Sequence, residues 1–213
     1  MSLLSSATIG CVILAGGRSK RYGRANKLLS RVHGQALLWW TLDAVCASSA
    51  RPIIIVTGHE RALVECSLRE YRRRHRRVPP LRMAFNPRYR RGMSGSLQTG
   101  LRRLPASSAG ALVVLGDMPA LRHSVIDALI GAWRPGDEAV QPIADGKRGN
   151  PVLLSRAIFS AIDELEGDRG ARLILQRSGQ LRLVETRGDI DFDVDRRRDL
   201  HRPGLRRLLS ARR

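Results

Sequence analysis

Short apolar runs alternate along this chain with longer stretches in which apolar residues recur every three or four positions. The runs at 8–14 (TIGCVIL), 52–57, 82–85, 111–115 (ALVVL), 139–142, 151–154 and 181–186 have strand length and mostly β-branched or aliphatic content, and predict strands. Between them, helical spacing predicts helices over 35–48, 60–74, 94–103, 123–133, 156–165 and 169–176, with a last one from about 196 to 209. Runs apolar at nearly every position belong to strands buried on both faces. Strands alternating with helices predict an α/β architecture: three layers, a mainly parallel sheet with helices on both faces, joined by right-handed crossovers. No internal repeat, low-complexity segment or long linker interrupts the pattern, so residues 1–213 are expected to form a single domain. Such sheets bind ligands beyond the carboxyl ends of their strands. The loop after residue 14 and the segments VTGHE (56–60), LGDMP (115–119) and DVD (193–195) are therefore expected on one rim.

Composition supports an enzyme-sized globular unit. A chain of 213 residues that is 43% hydrophobic can bury a sizeable core. No apolar stretch approaches the ~20 residues that cross a bilayer, so no membrane partner is expected. The opening MSLLSSATIG lacks a basic segment followed by an apolar one, and a cytoplasmic location is expected. Cys11, Cys46 and Cys66 have no metal-binding spacing and stand in apolar patterns, which predicts buried thiols. A net charge of +19 raises the question of nucleic acid, with arginine clusters at 72–77, 88–91 and 196–198. Thirty-five of the 38 basic residues are arginine, however, a skew that suggests arginine-rich coding. Aromatic residues make up only 4%, too few for a stacking platform, and no helix-turn-helix, zinc-finger or RNP pattern is present. A solvated basic face that steers polyanionic substrates is expected, and no specific nucleic-acid partner.

The chemistry begins where the first predicted strand ends. Leu14 and Ala15 lead into Gly16-Gly17, then Arg18, Arg21 and Lys27. Glycines let the backbone approach phosphate oxygens and aim amides at them, and the cations supply the charge that a loop of dipoles lacks. Taken alone, the glycines equally fit a plain turn. Neither GxxxxGK[ST] nor GxGxxG with an acidic residue about 20 positions on is present, which removes most of the weight from P-loop and dinucleotide-binding readings. Asp117 follows the apolar run 111–115, where a carboxylate reaches a metal that bridges two phosphates; Mg²⁺ prefers oxygen ligands and needs only one or two from protein. Its plainer role is a turn residue before Pro119. Ser94-Gly95-Ser96 opens a predicted helix whose amides can meet a base or an anion.

LAGGxSxRxG followed by Lys27, VTGHE, NPRYRRGMSGSLQTGL (86–101), LGDMP, GNPVLL (149–154), GDRGARLIL (167–175) and DVDRRRDL (193–200) together resemble the MobA-like nucleotidyltransferases, from about residue 8 to 205. Each motif is weak alone; the ordered set is specific. Within that family the chain is most similar to the molybdenum cofactor cytidylyltransferases. The resemblance implies a Rossmann-like fold of the nucleotide-diphospho-sugar transferase type. It implies transfer of CMP from CTP to the terminal phosphate of molybdopterin, with pyrophosphate released, and Mg²⁺ as cofactor. A transient contact with a molybdoenzyme or its chaperone is a further implied partner. Carried over by position, Lys27 and Arg21 face the α- and β-phosphates, and Asn86 with Ser94, Gly95 and Ser96 lies in the base-recognition region. Asp195, second of the D-x-D pair with Asp193, lies beside the nucleotide as a second metal ligand, while capping of the final helix is an equal alternative. Because Asp189 and Asp191 precede the pair, the register is open by two residues. Gly149, Asn150 and Pro151 face the acceptor, as do Asp168 and Arg172, where a helix end with Arg172 holds the pterin phosphate. Helix capping and a tight turn account equally well for the same residues.

Some features depart from the cytidylyl pattern. Those enzymes usually read LAAG, with two residues between the glycine after the arginine and the lysine; here Gly16 and Arg24-Ala25-Asn26 are closer to guanylyl relatives. If the first loop sets the room for the base, a methyl at Gly16 should discriminate against GTP. Asn150 stands where the family usually has histidine. Guanylyl transfer to the same pterin, cytidylyl transfer to another phosphorylated acceptor, and a noncatalytic cofactor carrier are the alternatives; the acceptor rests on resemblance alone.

Overall fold

The computed structural model describes residues 8–23, 25–165, 167, 175–176, 178–186, 190, 192–202, 205 and 209. Its elements run β1 (Thr8–Ala15), β2 (Arg31–Val32), β3 (Gln35–Ala36), α1 (Leu37–Ala47), β4 (Ile53–Thr57), α2 (Arg61–Arg74), β5 (Leu81–Phe85) and α3 (Met93–Leu101). They continue with β6 (Ser108–Leu115), α4 (His123–Ala132), β7 (Ala139–Ala144), β8 (Lys147–Arg148), β9 (Val152–Ser155), α5 (Phe159–Asp163) and β10 (Leu181–Glu185). The fold is α/β: an eight-stranded sheet of order β10-β7-β9-β6-β1-β4-β5, with β8 paired to β7.

The apolar runs explain the sheet's centre. β4 is buried at every position, and β1 and β6 nearly so, because helices cover both faces. Period-two alternation sends Cys11, Ile13, Ile53 and Ile55 to the face packed by α1, α2 and α4, and Val12, Ile54 and Val56 to the face packed by α3 and α5. α3 lies unusually close to that second face: a Cβ on Gly100 would stand 2.3 Å from a Val12 methyl and 2.9 Å from one of Val56.

β1 pairs in parallel with β4 and β6, and β4 with β5, whereas β9 runs antiparallel to both β6 and β7. The reason is the tight turn Asp145-Gly146, both at positive φ (49° and 73°), which folds β8 back on β7. A connection that short delivers only antiparallel neighbours.

The helix expected over 156–165 is shorter, a 3-10 turn at Arg156–Ile158 followed by α5. The helix expected over 169–176 lies mostly outside the described residues, and the last expected helix begins as a 3-10 turn, Arg197–His201, with Leu205 and Leu209 helical among the few described residues after it. Cys11 is buried, but Cys46 is half-buried and Cys66 exposed, against the expectation of three buried thiols. Helical periodicity accounts for this: α2 turns Val64, Leu68 and Tyr71 inward, and Cys66 falls on the opposite side. None of the described helices is long and apolar enough to cross a membrane.

Candidate active site at the strand ends

Parallel pairing brings the carboxyl ends of β1, β4 and β6 level, with Leu14 opposite both Val56 and Leu115. The loops leaving these strands are bonded to one another. The His59 amide donates to the Gly16 carbonyl at 3.1 Å, and the Gly116 amide to the Leu14 carbonyl at 3.0 Å. Gly58 admits no side chain, since a Cβ there would lie 2.7 Å from the Gly16 carbonyl oxygen and 2.6 Å from Tyr89 Cβ. VTGHE thus braces the first loop from below.

Above this rim opens a cleft of about 350 Å³. Of the residues expected at the nucleotide, Leu14, Gly16, Gly17, Arg18, Arg21, Lys27 and Ser96 line it, together with Asp117 and Asp195. Ala15, Asn86, Ser94 and Gly95 do not line it. Asn86 supports Ser96 instead, its side-chain amide donating to Ser96 Oγ at 2.9 Å while its own backbone amide donates to the Thr57 carbonyl at 2.9 Å. α3 begins at Met93, after Gly92 at φ 118°. Lys20, Tyr89, Arg90, Met93 and Asp193 also line the cleft. Tyr89, Arg90 and Met93 entered the sequence reading only as members of a basic, motif-bearing stretch, because a side chain's approach to the cleft carries no local signal.

The carboxylates are delivered by the chain's far end. Tyr22, Val32, Leu37 and Trp40 form a small core with Val194, Leu205 and Leu209, which seats residues 192–195 over the first loop. The Val194 amide donates to the Asp117 carbonyl at 3.2 Å, and one Asp199 carboxylate oxygen accepts from the amides of Asp195 (3.0 Å) and Arg196 (2.7 Å). Burial pushes the Asp199 carboxyl up, but those amides and nearby arginines outweigh it and hold it below the ordinary aspartate value. Asp199 is a positioning residue visible in sequence only as one more acid of DVDRRRDL.

Asp117, Asp193 and Asp195 each bring a carboxylate oxygen within 4.8 Å of the others. Of the acids between which the register is open, Asp193 and Asp195 stand with Asp117, while Asp189 and Asp191 lie outside the described residues. Asp193 is exposed at the mouth, yet its carboxyl sits low enough that desolvation first, and then the charges of Asp117 and Asp195, raise its pKa above the ordinary value. Lys27 Nζ donates to Asp117 Oδ2 and lies 3.7 Å from Asp195 Oδ1, while Arg21 pairs with Asp195 Oδ2 at 2.7 Å. Lys27 rides on a short 3-10 turn whose first amides are capped by Asn26, Oδ1 accepting from the Leu28 amide at 3.1 Å.

The expected acceptor residues divide. Gly149, Asn150 and Pro151 do not line the cleft and are pinned to the segment that leads to Asp193: the Asn150 amide donates to the Ile190 carbonyl at 2.8 Å, and a Cβ on Gly149 would stand 2.5 Å from the same oxygen. Asp168 and Arg172 lie outside the described residues. A methyl at Gly16 would point into the rim, 3.2 Å from the Gly58 nitrogen and 3.3 Å from its Cα, a neighbour that the expectation of discrimination against GTP did not include.

The sequence profile of the MobA-like NTP transferase domain matches residues 11–183. The bifunctional protein GlmU of Sorangium cellulosum (strain So ce56) is 30% identical over 160 residues, covering 74% of this chain and 33% of that protein. The chain thus spans about a third of that relative's length. Nicotine blue oxidoreductase of Paenarthrobacter nicotinovorans is 27% identical over 173 residues, covering 78% and 80% of the two chains. The probable molybdenum cofactor guanylyltransferase of Mycobacterium avium (strain 104) is 29% identical over 186 residues, covering 85% and 88%. Among solved structures, Rv0371c of Mycobacterium tuberculosis H37Rv superposes with a TM-score of 0.78 at 26% identity, over 92% of this chain and 97% of that one.

Proposed function

We propose, for a chain that belongs to the MobA-like NTP transferase family, that the cleft transfers a nucleoside monophosphate from CTP to the terminal phosphate of molybdopterin, releasing pyrophosphate. The observation that carries the transfer is the facing of cations and acids in one cleft, Arg18, Lys20, Arg21 and Lys27 against Asp117, Asp193 and Asp195. A triphosphate would need the first set, and a divalent metal accompanying it would need the second. An all-oxygen donor set from carboxylates suits Mg²⁺, and Asp117 with Asp195 would hold it, with Asp193 beside them. Bound there, Mg²⁺ would neutralise charge that builds on the departing pyrophosphate.

The chain's own residues supply the rest. In-line displacement at the α-phosphorus requires two mutually repelling anions to be held in register, so positioning and charge neutralisation are the main tasks and no covalent nucleophile is needed. Lys27 and Arg21 serve the α- and β-phosphates, and the backbone of Gly16 and Gly17, which line the cleft, approaches the phosphate chain. The α3 start, Ser94, Gly95 and Ser96 with Asn86 behind it, borders the base. Gly149, Asn150 and Pro151, with Asp168 and Arg172, serve the acceptor, and a molybdoenzyme or its chaperone receives the product by transient contact. What supports CTP is the form of the downstream motifs, GMSGSL and LGDMP. A second reading, GTP as donor, is favoured by the three-residue spacer Arg24-Ala25-Asn26 and by the M. avium relative.

Pyrophosphate release, measured with Mg²⁺, molybdopterin and each nucleoside triphosphate singly, tests these assignments. CTP is expected to give the largest kcat/KM. Preference for GTP transfers the assignment to the second reading, and no release with any nucleotide overturns nucleotidyl transfer to this acceptor.

A further inference from the structure

Resting on the nucleotidyl-transfer reading, we propose that the Lys27 ammonium is the resident cation of the Asp117–Asp193–Asp195 cluster, and that a divalent metal enters by displacing it toward the triphosphate. Lys27 and Asp117 are mutually buried, their side chains 16% and 9% exposed. Withdrawing a carboxylate so far from water is costly unless a cation is paired with it. Arg21 does not fill that need: it is held on the other oxygen of Asp195 and is 72% exposed. Lys27 Nζ contacts Asp117 Oδ2 and stands 3.7 Å from Asp195 Oδ1, so it sits between two of the three carboxylates. A metal on those same oxygens and an ammonium in its present place would repel each other at contact distance, in a cleft where screening by water is reduced.

Only the side chain has to move, because the Lys27 backbone is fixed in its 3-10 turn by the Asn26 cap and by the buried Leu28. Once released, the ammonium remains in the same cleft as the glycine loop and Arg18, where phosphate oxygens replace the carboxylate as its partner. The same lysine therefore opposes metal binding in the free protein and favours nucleotide binding in the metal-loaded one. By linkage, metal and nucleotide each tighten the other's binding.

The chain has only three lysines, Lys20, Lys27 and Lys147, so a protein labelled with ¹³C at lysine Cε gives three side-chain signals. Lys27→Met assigns the Lys27 signal, and Lys27→Arg does so if the methionine variant fails to fold. Mg²⁺ titrated without nucleotide is expected to shift the Lys27 signal while that of Lys147 stays in place. Calorimetry is expected to give Lys27→Met an affinity for Mn²⁺ about tenfold above wild type, within the usual range for coupled sites. An unmoved Lys27 signal at Mg²⁺ concentrations that calorimetry shows to be saturating overturns the proposal alone, as does unchanged or weaker Mn²⁺ binding by folded Lys27→Met. Absence of metal binding in the wild type, with and without CTP, overturns the metal-dependent reading together with it.

Discussion

The two halves of the sheet are held together differently. On the β6-β1-β4-β5 side, β1, β4 and β6 are parallel strands buried on both faces, the edge strand β5 leaves Met83 and Phe85 exposed, loops at the strand ends are hydrogen-bonded to one another, and contacts through Gly16, Gly58 and Gly100 leave little room to shift. On the β9-β7-β10 side, strands of mixed direction, with β9 buried at every position, end in an edge strand with Leu183 exposed, and polar contacts tie these strands and the adjoining helices together. Asp137 accepts from Arg182 Nε and Nη2 at 2.7 and 3.0 Å, Gln98 Nε2 donates to the carbonyls of Ile162, Asp163 and Leu165, and the Arg156 guanidinium donates to those of Ser108 and Pro105. The lesson is a division of tasks. The tightly packed half fixes the cleft in place, while the half proposed to meet the acceptor is joined by directional contacts that respond to charge and pH.

Substitutions in each half separate these behaviours. Asp117→Ala is expected to lower kcat at least ~10²-fold through loss of charge stabilisation at the leaving group, with the native fold retained at a lowered unfolding midpoint because Lys27 loses its buried partner. Turnover within tenfold of wild type in a folded variant would remove Asp117 from the metal role. Gly100→Ala drives a methyl into Val12 and Val56 and is expected to cost about 1–3 kcal/mol by overpacking, less about 1 kcal/mol regained from helix propensity, read by chemical denaturation. An unchanged midpoint would mean that α3 can back away from the sheet.

Gly16→Ala sharpens the contrast further. Because its methyl meets the Gly58 backbone, kcat/KM for CTP and GTP should fall by a common factor as the rim shifts. A selective loss for GTP would return Gly16 to the base pocket. The smallest effect is expected in the other half. The Arg182 hydrogen bond holds the Asp137 carboxyl below its ordinary value, against the opposing push of burial. A depressed pKa means the ionised form stabilises the fold above the unfolded value near 3.8 and that this contribution disappears as pH falls through the lower folded value. Asp137→Asn should therefore lower the melting temperature by a few degrees from neutral pH down to the unfolded value, with the gap closing below it. A gap that persists at the lowest pH would assign the loss to packing.

Much of this protein was determined by local sequence. The apolar runs of β1, β4 and β6 specify buried strands, their alternation with helical spacing specifies a mainly parallel three-layer sheet, and strand-then-glycine at residues 14–17 with Asp117 after 111–115 marks the functional rim. These signals are legible because burial on both faces and backbone approach to a ligand constrain residue type position by position. The Asp145-Gly146 turn was not read from the sequence, and its consequence, the reversal of β9, depends on which neighbour the turn delivers. Only the tertiary structure decided which acids meet Asp117, that Asp199 holds Asp195 in place, that Lys27 sits on a carboxylate, and that a methyl at Gly16 faces Gly58. Each of those outcomes depends on segments far apart in sequence. The small core of Tyr22, Trp40 and Val194 lays one end of the chain over the other, and no local pattern of residues records where such a contact will fall.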